Sequence, residues 1–437
     1  MTSPALLTPY FHRLQERSTW RWSGRVTKAL GQMVESEGPF CSLGEACEIL
    51  DGDGHCYEGE VIGFRGRTIL SMFVNRPGPV RYGDRVVTAG LRPALRVGKE
   101  LLGRVIDACG QPLDGGEAYR AEDSWPYDGP APLPLTRAAI REPLGCGIRA
   151  VDSLLTCGRG QRLGIFGGSG VGKTTLIGMM ARGSAADLTV LALVGERGRE
   201  VREFLEGTLG EEGRRRSVVV VSTSDQSPLL RIRAALAATA IAEYFASCGQ
   251  QVLLVVDSLT RFAMAQREIG LAAGEPPTAK GYTPSVFSLL ARLIERAGHF
   301  GTGSITAFYS VLMEGDDQQD PLVDAVRALL DGHIVLDRRL SAQNHYPPIA
   351  ILDSISRLMP TVCSPEHLAR AQQLRKLLAA YARSEDLLRI GAYQKGADPV
   401  LDQAVALLPT LTAFLQQRPE EKPSLEQALA ALHKLAP

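Results

Sequence analysis

A chain of 437 residues, 45% hydrophobic and 22% charged, has room for two or three domains. Its 48 basic and 48 acidic residues cancel, which excludes a nucleic-acid binder working through a broad electrostatic footprint but not a local basic groove. No apolar run reaches the length of a membrane span and no signal-peptide pattern opens the sequence, so the expected location is the cytoplasm. The cysteines at 41, 47, 56, 109, 146, 157, 248 and 363 are scattered without a C-x-x-C pair, and are read as free thiols rather than metal ligands.

Residues 1–21 form an amphipathic segment. Thr8 is placed to cap a short helix and Pro9 suits its first position. Tyr10, Phe11 and Leu14 then share one face. So short a helix is marginal alone and must dock, on its own chain or on a partner. From 22 to 95 the texture changes to short β-like runs: 24–30, 46–50, 59–64, 68–73 and 84–88. Turns such as Asp51-Gly52 and Tyr82-Gly83-Asp84 separate them. Closely spaced strands with polar turns predict a small barrel. The Gly/Pro-rich stretch 114–134 reads as an irregular linker inside a domain that runs from 96 to 360.

Within that domain strands alternate with helices. The strand candidates are 162–167, 188–195, 217–222, 251–257, 304–311, 333–337 and 349–352, and 227–248 and 284–297 have helical length. Short apolar runs alternating with helices imply a parallel sheet covered on both faces, with ligands beyond the carboxyl ends of its strands. The first strand leads into RLGIFGGSGVGKTT, residues 162–175, which fits G-x-x-x-x-G-K-[ST] with glycines at Gly167 and Gly172. Glycines let successive backbone N–H groups converge on phosphate oxygens. The loop of Gly168, Ser169, Gly170, Val171, Gly172, Lys173, Thr174 and Thr175 is therefore a nucleoside-triphosphate site. Lys173 is expected on the β- and γ-phosphates and Thr174 on Mg²⁺, and the helix that begins there turns its positive end to the anion.

Three further sets are expected at strand carboxyl ends. Asp257 follows Val252–Val256, the pattern of a carboxylate that holds the Mg²⁺ shell. Glu196, Arg197 and Glu200 follow the run 191–195; a carboxylate there suits orienting the attacking water, although ERGRE reads equally well as a charged helix start. Arg357 follows 349–356, and a guanidinium suits the charge on a transferring phosphate, in cis or from a neighbouring subunit. Beyond Pro360, residues 361–437 read as helical over 365–384, 399–417 and 424–435. The last carries a capping box, Ser424 with Gln427, and an apolar stripe of Leu425, Ala428, Leu429 and Leu432 that packs at home.

Together GGSGVGKT, LVGERGREVREF, LLVVDSLTRFAMAQREI, GEPPTAKGYTPSVFSLL, GSITAFYSVLMEGDDQQDP, LDGHIVLDRR and HYPPIAILDSISR closely resemble the flagellum-specific, type III secretion ATPases, relatives of the catalytic subunit of rotary ATP synthases. The resemblance implies an N-terminal β-barrel, a RecA-like α/β P-loop core and a C-terminal helical domain, assembled as a homohexamer with sites between subunits. It implies ATP and Mg²⁺ as ligands, with Lys173 and Thr174 on phosphate and metal. Glu196 then corresponds to the catalytic glutamate, Arg197 to a γ-phosphate contact, and Glu200 and Asp257 to the metal's water shell. Arg357 corresponds to an arginine finger given to the neighbouring site, and Tyr346 to the aromatic residue on adenine.

The acidic loop 314–320 corresponds to a stretch facing a central stalk protein, and reads equally as a solvated loop. The implied partners are a stator-like regulator at the N-terminal helix, the stalk, an export gate, and export substrates with their chaperones, but no nucleic acid. The implied location is cytoplasmic, at the inner-membrane export apparatus. Rotary synthase subunits carry a strongly acidic segment near Ile390, where this chain has GAYQKGADP, so export is favoured over ATP synthesis. The expected function is a flagellar export ATPase. The alternatives are, in order, a virulence injectisome ATPase, a rotary synthase subunit and a hexameric RNA translocase.

Overall fold

The computed structural model describes residues 21–435 except 89, 314 and 316–318. The N-terminal helix expected around Tyr10, Phe11 and Leu14, and most of the acidic loop, lie outside the described residues. Alternating inward and outward residues roll Trp22–Leu30, Met33–Glu37, Ala46–Leu50, Cys56–Arg65, Thr68–Phe73 and Arg85–Thr88 into a closed six-stranded barrel. Val26, Val34, Ile49, Phe73 and Val86 fill it. Met33–Glu37 was not among the expected strands: its MVESE pattern is short and half acidic, but it pairs on both sides, with Trp22–Leu30 and Thr68–Phe73. Ala94–Val97 leaves the barrel and pairs with Asp123–Pro126, so the stretch expected to be irregular contains a strand.

The central sheet runs in the order Ile355–Ser356, Gly332–Val335, Arg162–Gly167, Ser304–Leu312, Gln251–Asp257, Leu188–Glu196, Ser217–Thr223, Val105–Asp107. Every ladder from Gly332–Val335 to Val105–Asp107 is parallel. Such strands are buried on both faces, and their residues divide with period two. Val190, Ala192 and Val194 face the long helix Pro228–Ser247. Leu191 and Leu193 face Leu176, Ile177 and Met180 of the helix Lys173–Gly183.

The barrel is fastened to this core by Arg233, which donates to Glu60 at 2.6 Å, and by the Ser227 hydroxyl on the Val74 carbonyl. The C-terminal helices Pro365–Arg389, Pro399–Leu415 and Leu425–Leu435 close on the short helix Arg149–Leu154. There the Arg149 N–H donates to Gln417 Oε1 at 2.8 Å and its guanidinium pairs with Glu421 at 2.7 Å. The capping box forms: Gln427 N–H donates to Ser424 Oγ at 3.2 Å and Ser424 N–H to Gln427 Oε1 at 2.9 Å. Ala428 and Leu432 are fully buried, so that stripe belongs to the chain's own core.

The run 349–352, expected as a buried strand, is not one. Ile349 makes a single bridge to Leu336 and the chain then turns. Only Ile355–Ser356 joins the sheet, antiparallel to Gly332–Val335.

Candidate nucleotide site

Strand Arg162–Gly167 delivers the glycine loop to the carboxyl edge of the sheet, between Ser304–Leu312 and Gly332–Val335. Gly170 and Gly172 sit at φ +74° and +103°, in the left-handed region that side chains with a Cβ avoid. The turn they allow ends in the helix Lys173–Gly183. Lys173 Nζ donates to the carbonyls of Gly167 at 2.7 Å and Gly168 at 2.6 Å, which draws the ammonium back over its own loop. Val171 is buried beneath, and Ser169, Thr174 and Thr175 are exposed above.

Around the loop lies a cavity of about 470 Å³ lined by Lys173, Thr174, Glu196, Arg197, Glu200 and Asp257, among others. The carboxylates arrive from neighbouring strands. Asp257 ends Gln251–Asp257, is 5% exposed, and accepts a hydrogen bond from the Ser310 hydroxyl. Glu196 ends Leu188–Glu196. Burial, with the Asp257 charge and a hydrogen bond to Glu200 adding to it, pushes its carboxyl up to about 7, while Arg261 pulls the other way. Burial likewise raises Asp257 above the usual carboxylate range, opposed by Ser310 and Lys173. Desolvation of this kind poises a carboxyl for proton transfer near neutrality. Arg197 is exposed and pairs with Glu200 at 3.7 Å, one turn along the helix Gly198–Glu203.

The donor set suits a phosphate-borne Mg²⁺. Among the described residues no group of three or more His, Cys, Asp or Glu could hold a metal alone. Mg²⁺ characteristically keeps waters and shares few protein ligands with substrate phosphates. The Thr174 hydroxyl would be the direct protein ligand, with Glu200 and Asp257 holding its water shell.

Tyr346 stands on the other side of the loop. A Cβ at Gly172 would lie 3.9 Å from its ring. Its hydroxyl shares a 2.9 Å hydrogen bond with Ser341, its carbonyl accepts from Gln417 N–H at 2.9 Å, and it is 42% exposed. Arg357 is not at this edge. Its N–H donates to the Asp331 carbonyl at 2.9 Å, and Asp331 N–H to that of Arg162 at 2.9 Å. It therefore lies level with the start of the phosphate-loop strand, on the exposed surface. It does follow the carboxyl end of its own strand, as expected, but Ile355–Ser356 is antiparallel, which sets that end at the opposite edge of the sheet from the loop.

The ATP synthase alpha/beta family nucleotide-binding domain matches residues 147–356, and the type III secretion EscN ATPase C-terminal domain matches residues 363–434. A flagellum-specific ATP synthase of Bacillus subtilis (strain 168) is 50% identical over 97% of each chain. A type 3 secretion system ATPase of Xanthomonas euvesicatoria is 47% identical over 98% of each.

The chain belongs to the flagellum-specific and type III secretion ATPase family. The assembled ATPase EscN of the enteropathogenic E. coli type III secretion system superposes with a TM-score of 0.88 at 42% identity, covering 94% of this chain and 99% of that one. As a member of this family the chain is an ATPase built from a barrel, a RecA-like core and C-terminal helices.

Several residues of this export-ATPase site carry little signal in the sequence. Gly195, at φ +69°, makes a bulge at which the ladder to Ser217–Thr223 shifts register before Glu196. A Cβ there would press to 3.1 Å on Arg261. The signal was present, since an isolated glycine in an apolar strand marks a bulge or a close approach. Arg261, four positions past Asp257 and lining the cavity, had a weaker one. Ser310 had none, because its pairing with Asp257 exists only once the two strands lie side by side.

Proposed function

We propose that this chain is the ATP hydrolase of a flagellar type III protein-export apparatus, energising or priming the unfolding and export of substrate proteins. The observation that carries the hydrolytic part is the convergence of Lys173, Thr174, Glu196, Glu200 and Asp257 on one cavity at the carboxyl edge of a parallel sheet. In this reading Lys173 and the loop amides hold the phosphates, and Thr174 with Glu200 and Asp257 hold Mg²⁺ and its waters. Glu196 takes the proton of the attacking water, Arg197 contacts the γ-phosphate, and Tyr346 stacks on adenine. The match of residues 363–434 to a type III secretion C-terminal domain supports export over ATP synthesis. Five flagellum-specific relatives are 46–51% identical and three secretion-system ATPases 47–48%, ranges that overlap; the three flagellar relatives at 50–51% put the flagellar apparatus first, with the injectisome as second reading.

EscN has been solved assembled and in complex with its central stalk EscO, which supports an oligomer around a stalk for this chain also; the oligomer proposed is a homohexamer. The other proposed partners are a stator-like regulator, an export gate, and substrates with their chaperones, met in the cytoplasm at the inner membrane. Among the described residues no helix is long and apolar enough to cross a membrane.

The test is Glu196→Gln. ATP affinity should stay within a few-fold while turnover falls by roughly 10²–10⁴, the scale of lost general-base catalysis. A variant that keeps most of its turnover removes Glu196 from this role.

A further inference from the structure

The end of strand Ser304–Leu312 is held by more than its own sheet. Its ladder to Gln251–Asp257 closes at Val256↔Tyr309. Past that point the Ser310 hydroxyl reaches Asp257, and Leu312 N–H donates to Thr260 Oγ1 at 2.8 Å. The next amide, Met313 N–H, turns the opposite way and donates to the Gly167 carbonyl at 3.1 Å, which also accepts from Lys173 Nζ at 2.7 Å. Thr260 is 4% exposed and lies on the first turn of the helix Leu259–Ala273, which starts two residues past Asp257. One buried hydroxyl thus supplies the rung that the ladder lacks, at the place where the chain leaves the sheet for the acidic loop.

We propose that Thr260 is a positioning residue for hydrolysis. Its hydroxyl fixes the Leu312–Met313 backbone, and through it both the Ser310 contact to Asp257 and the Gly167 carbonyl that steers the Lys173 ammonium. The inference rests on the hydrolytic reading of the cavity. An error of about 1 Å in a catalytic group can cost on the order of a hundredfold in rate, so a single hydrogen bond at this place is enough to matter.

Thr260→Val keeps the shape and removes the acceptor, and Thr260→Ser keeps the acceptor. Steady-state ATP hydrolysis by the full chain, with thermal midpoints, tests the pair. Thr260→Val should lower kcat by roughly 10–100-fold with KM for ATP nearly unchanged, the pattern of an interaction felt in the transition state. Its midpoint should stay close to that of the unaltered protein, and Thr260→Ser should recover most of kcat. If Thr260→Val does not fold, Thr260→Ala takes its place in the same comparison. Unchanged kcat in the acceptor-less variant overturns the proposal. So does a loss of kcat that tracks the midpoint and that serine fails to rescue. Glu196→Gln run alongside separates the two failures. If it stays active the hydrolytic reading falls, whereas if it is inactive and Thr260→Val is normal, only the role of Thr260 falls.

Discussion

Arg296 is 2% exposed and its charge is met by two groups through three hydrogen bonds. Its Nε and Nη2 each donate to Glu243 at 2.7 Å and its Nη1 to the Tyr127 carbonyl at 2.5 Å. Glu243 also accepts from Trp125 Nε1 at 3.0 Å. The pair thereby pins the segment after strand Asp123–Pro126 to the long helix Pro228–Ser247. Removing one member of a buried pair leaves the other charge uncompensated, at a cost of about 3–5 kcal/mol, while replacing both by apolar groups is often nearly neutral. Glu243→Met alone should therefore destabilise the core by about that amount. The double variant Glu243→Met with Arg296→Met should recover a large part of it. Urea unfolding followed by tryptophan fluorescence checks this through Trp125, and a double variant no better than the single one would show that the pair does not act as a unit.

At the scale of elements, the docking of the C-terminal helices contains a titratable contact. His367, on the first turn of Pro365–Arg389, is 3% exposed and donates from Nε2 to the Ser153 carbonyl at 2.7 Å. Burial, with His433 nearby adding to it, holds its pKa below the usual 6.5. The folded state therefore favours the neutral ring, and at mildly acid pH the unfolded chain binds the extra proton. This stabilisation is fully present above about 6.5 and is lost as pH falls from there through the lower folded value. The buried carboxyls of Glu196 and Asp152, both pushed up to about 7, act in the opposite sense over the same range, so the readout is a difference: the thermal midpoint of the unaltered protein, taken relative to that of His367→Gln, should fall between about pH 7 and 5. A difference that does not change with pH would place the sensitivity in another group.

What could be read in advance follows the same division. The strand before the glycine loop and the strands ending at Glu196 and Asp257 were legible because each is a local apolar run stopped by a polar residue. Tyr346 was legible only through the family's HYPP motif, since one tyrosine has no periodicity. The direction of Ile355–Ser356 was not legible. Two residues set no register of their own, and their antiparallel pairing depends on Gly332–Val335 and on the turn at 351–353. The level of Arg357 in the molecule could not be found without it. Val105–Asp107 was missed for a related reason: three residues with no alternation become a strand only beside Ser217–Thr223.

Across the whole molecule, Arg357 and the phosphate loop stand at opposite ends of one strand. Arg357 is level with Arg162, and the loop follows Gly167, about 17 Å along the strand at ~3.3 Å per residue. That separation supports our proposal that its guanidinium serves a phosphate on a neighbouring copy. A trans-supplied arginine contributes ~10³–10⁵ in rate, so specific activity should rise with protein concentration as subunits associate. Mixing Arg357→Ala with Lys173→Ala subunits should restore part of the activity that each lacks alone, because some interfaces of the mixed ring pair an intact loop with an intact finger. Mixed rings as inactive as their parents, with wild-type activity independent of concentration, would return Arg357 to its own chain.

The strand order also sets a schedule for synthesis. Strand Arg162–Gly167 finds both its ladder partners, Ser304–Leu312 and Gly332–Val335, far downstream. The strands made in between, Leu188–Glu196, Ser217–Thr223 and Gln251–Asp257, pair among themselves. At roughly 5–20 residues per second, the first partner emerges on the order of ten seconds or more after the glycine loop. Throughout that interval the nascent chain carries an apolar strand with both edges open, the exposure that invites wrong pairing. The protein becomes able to hold a nucleotide late in its own translation, when the strand from Ser304 arrives to close the gap.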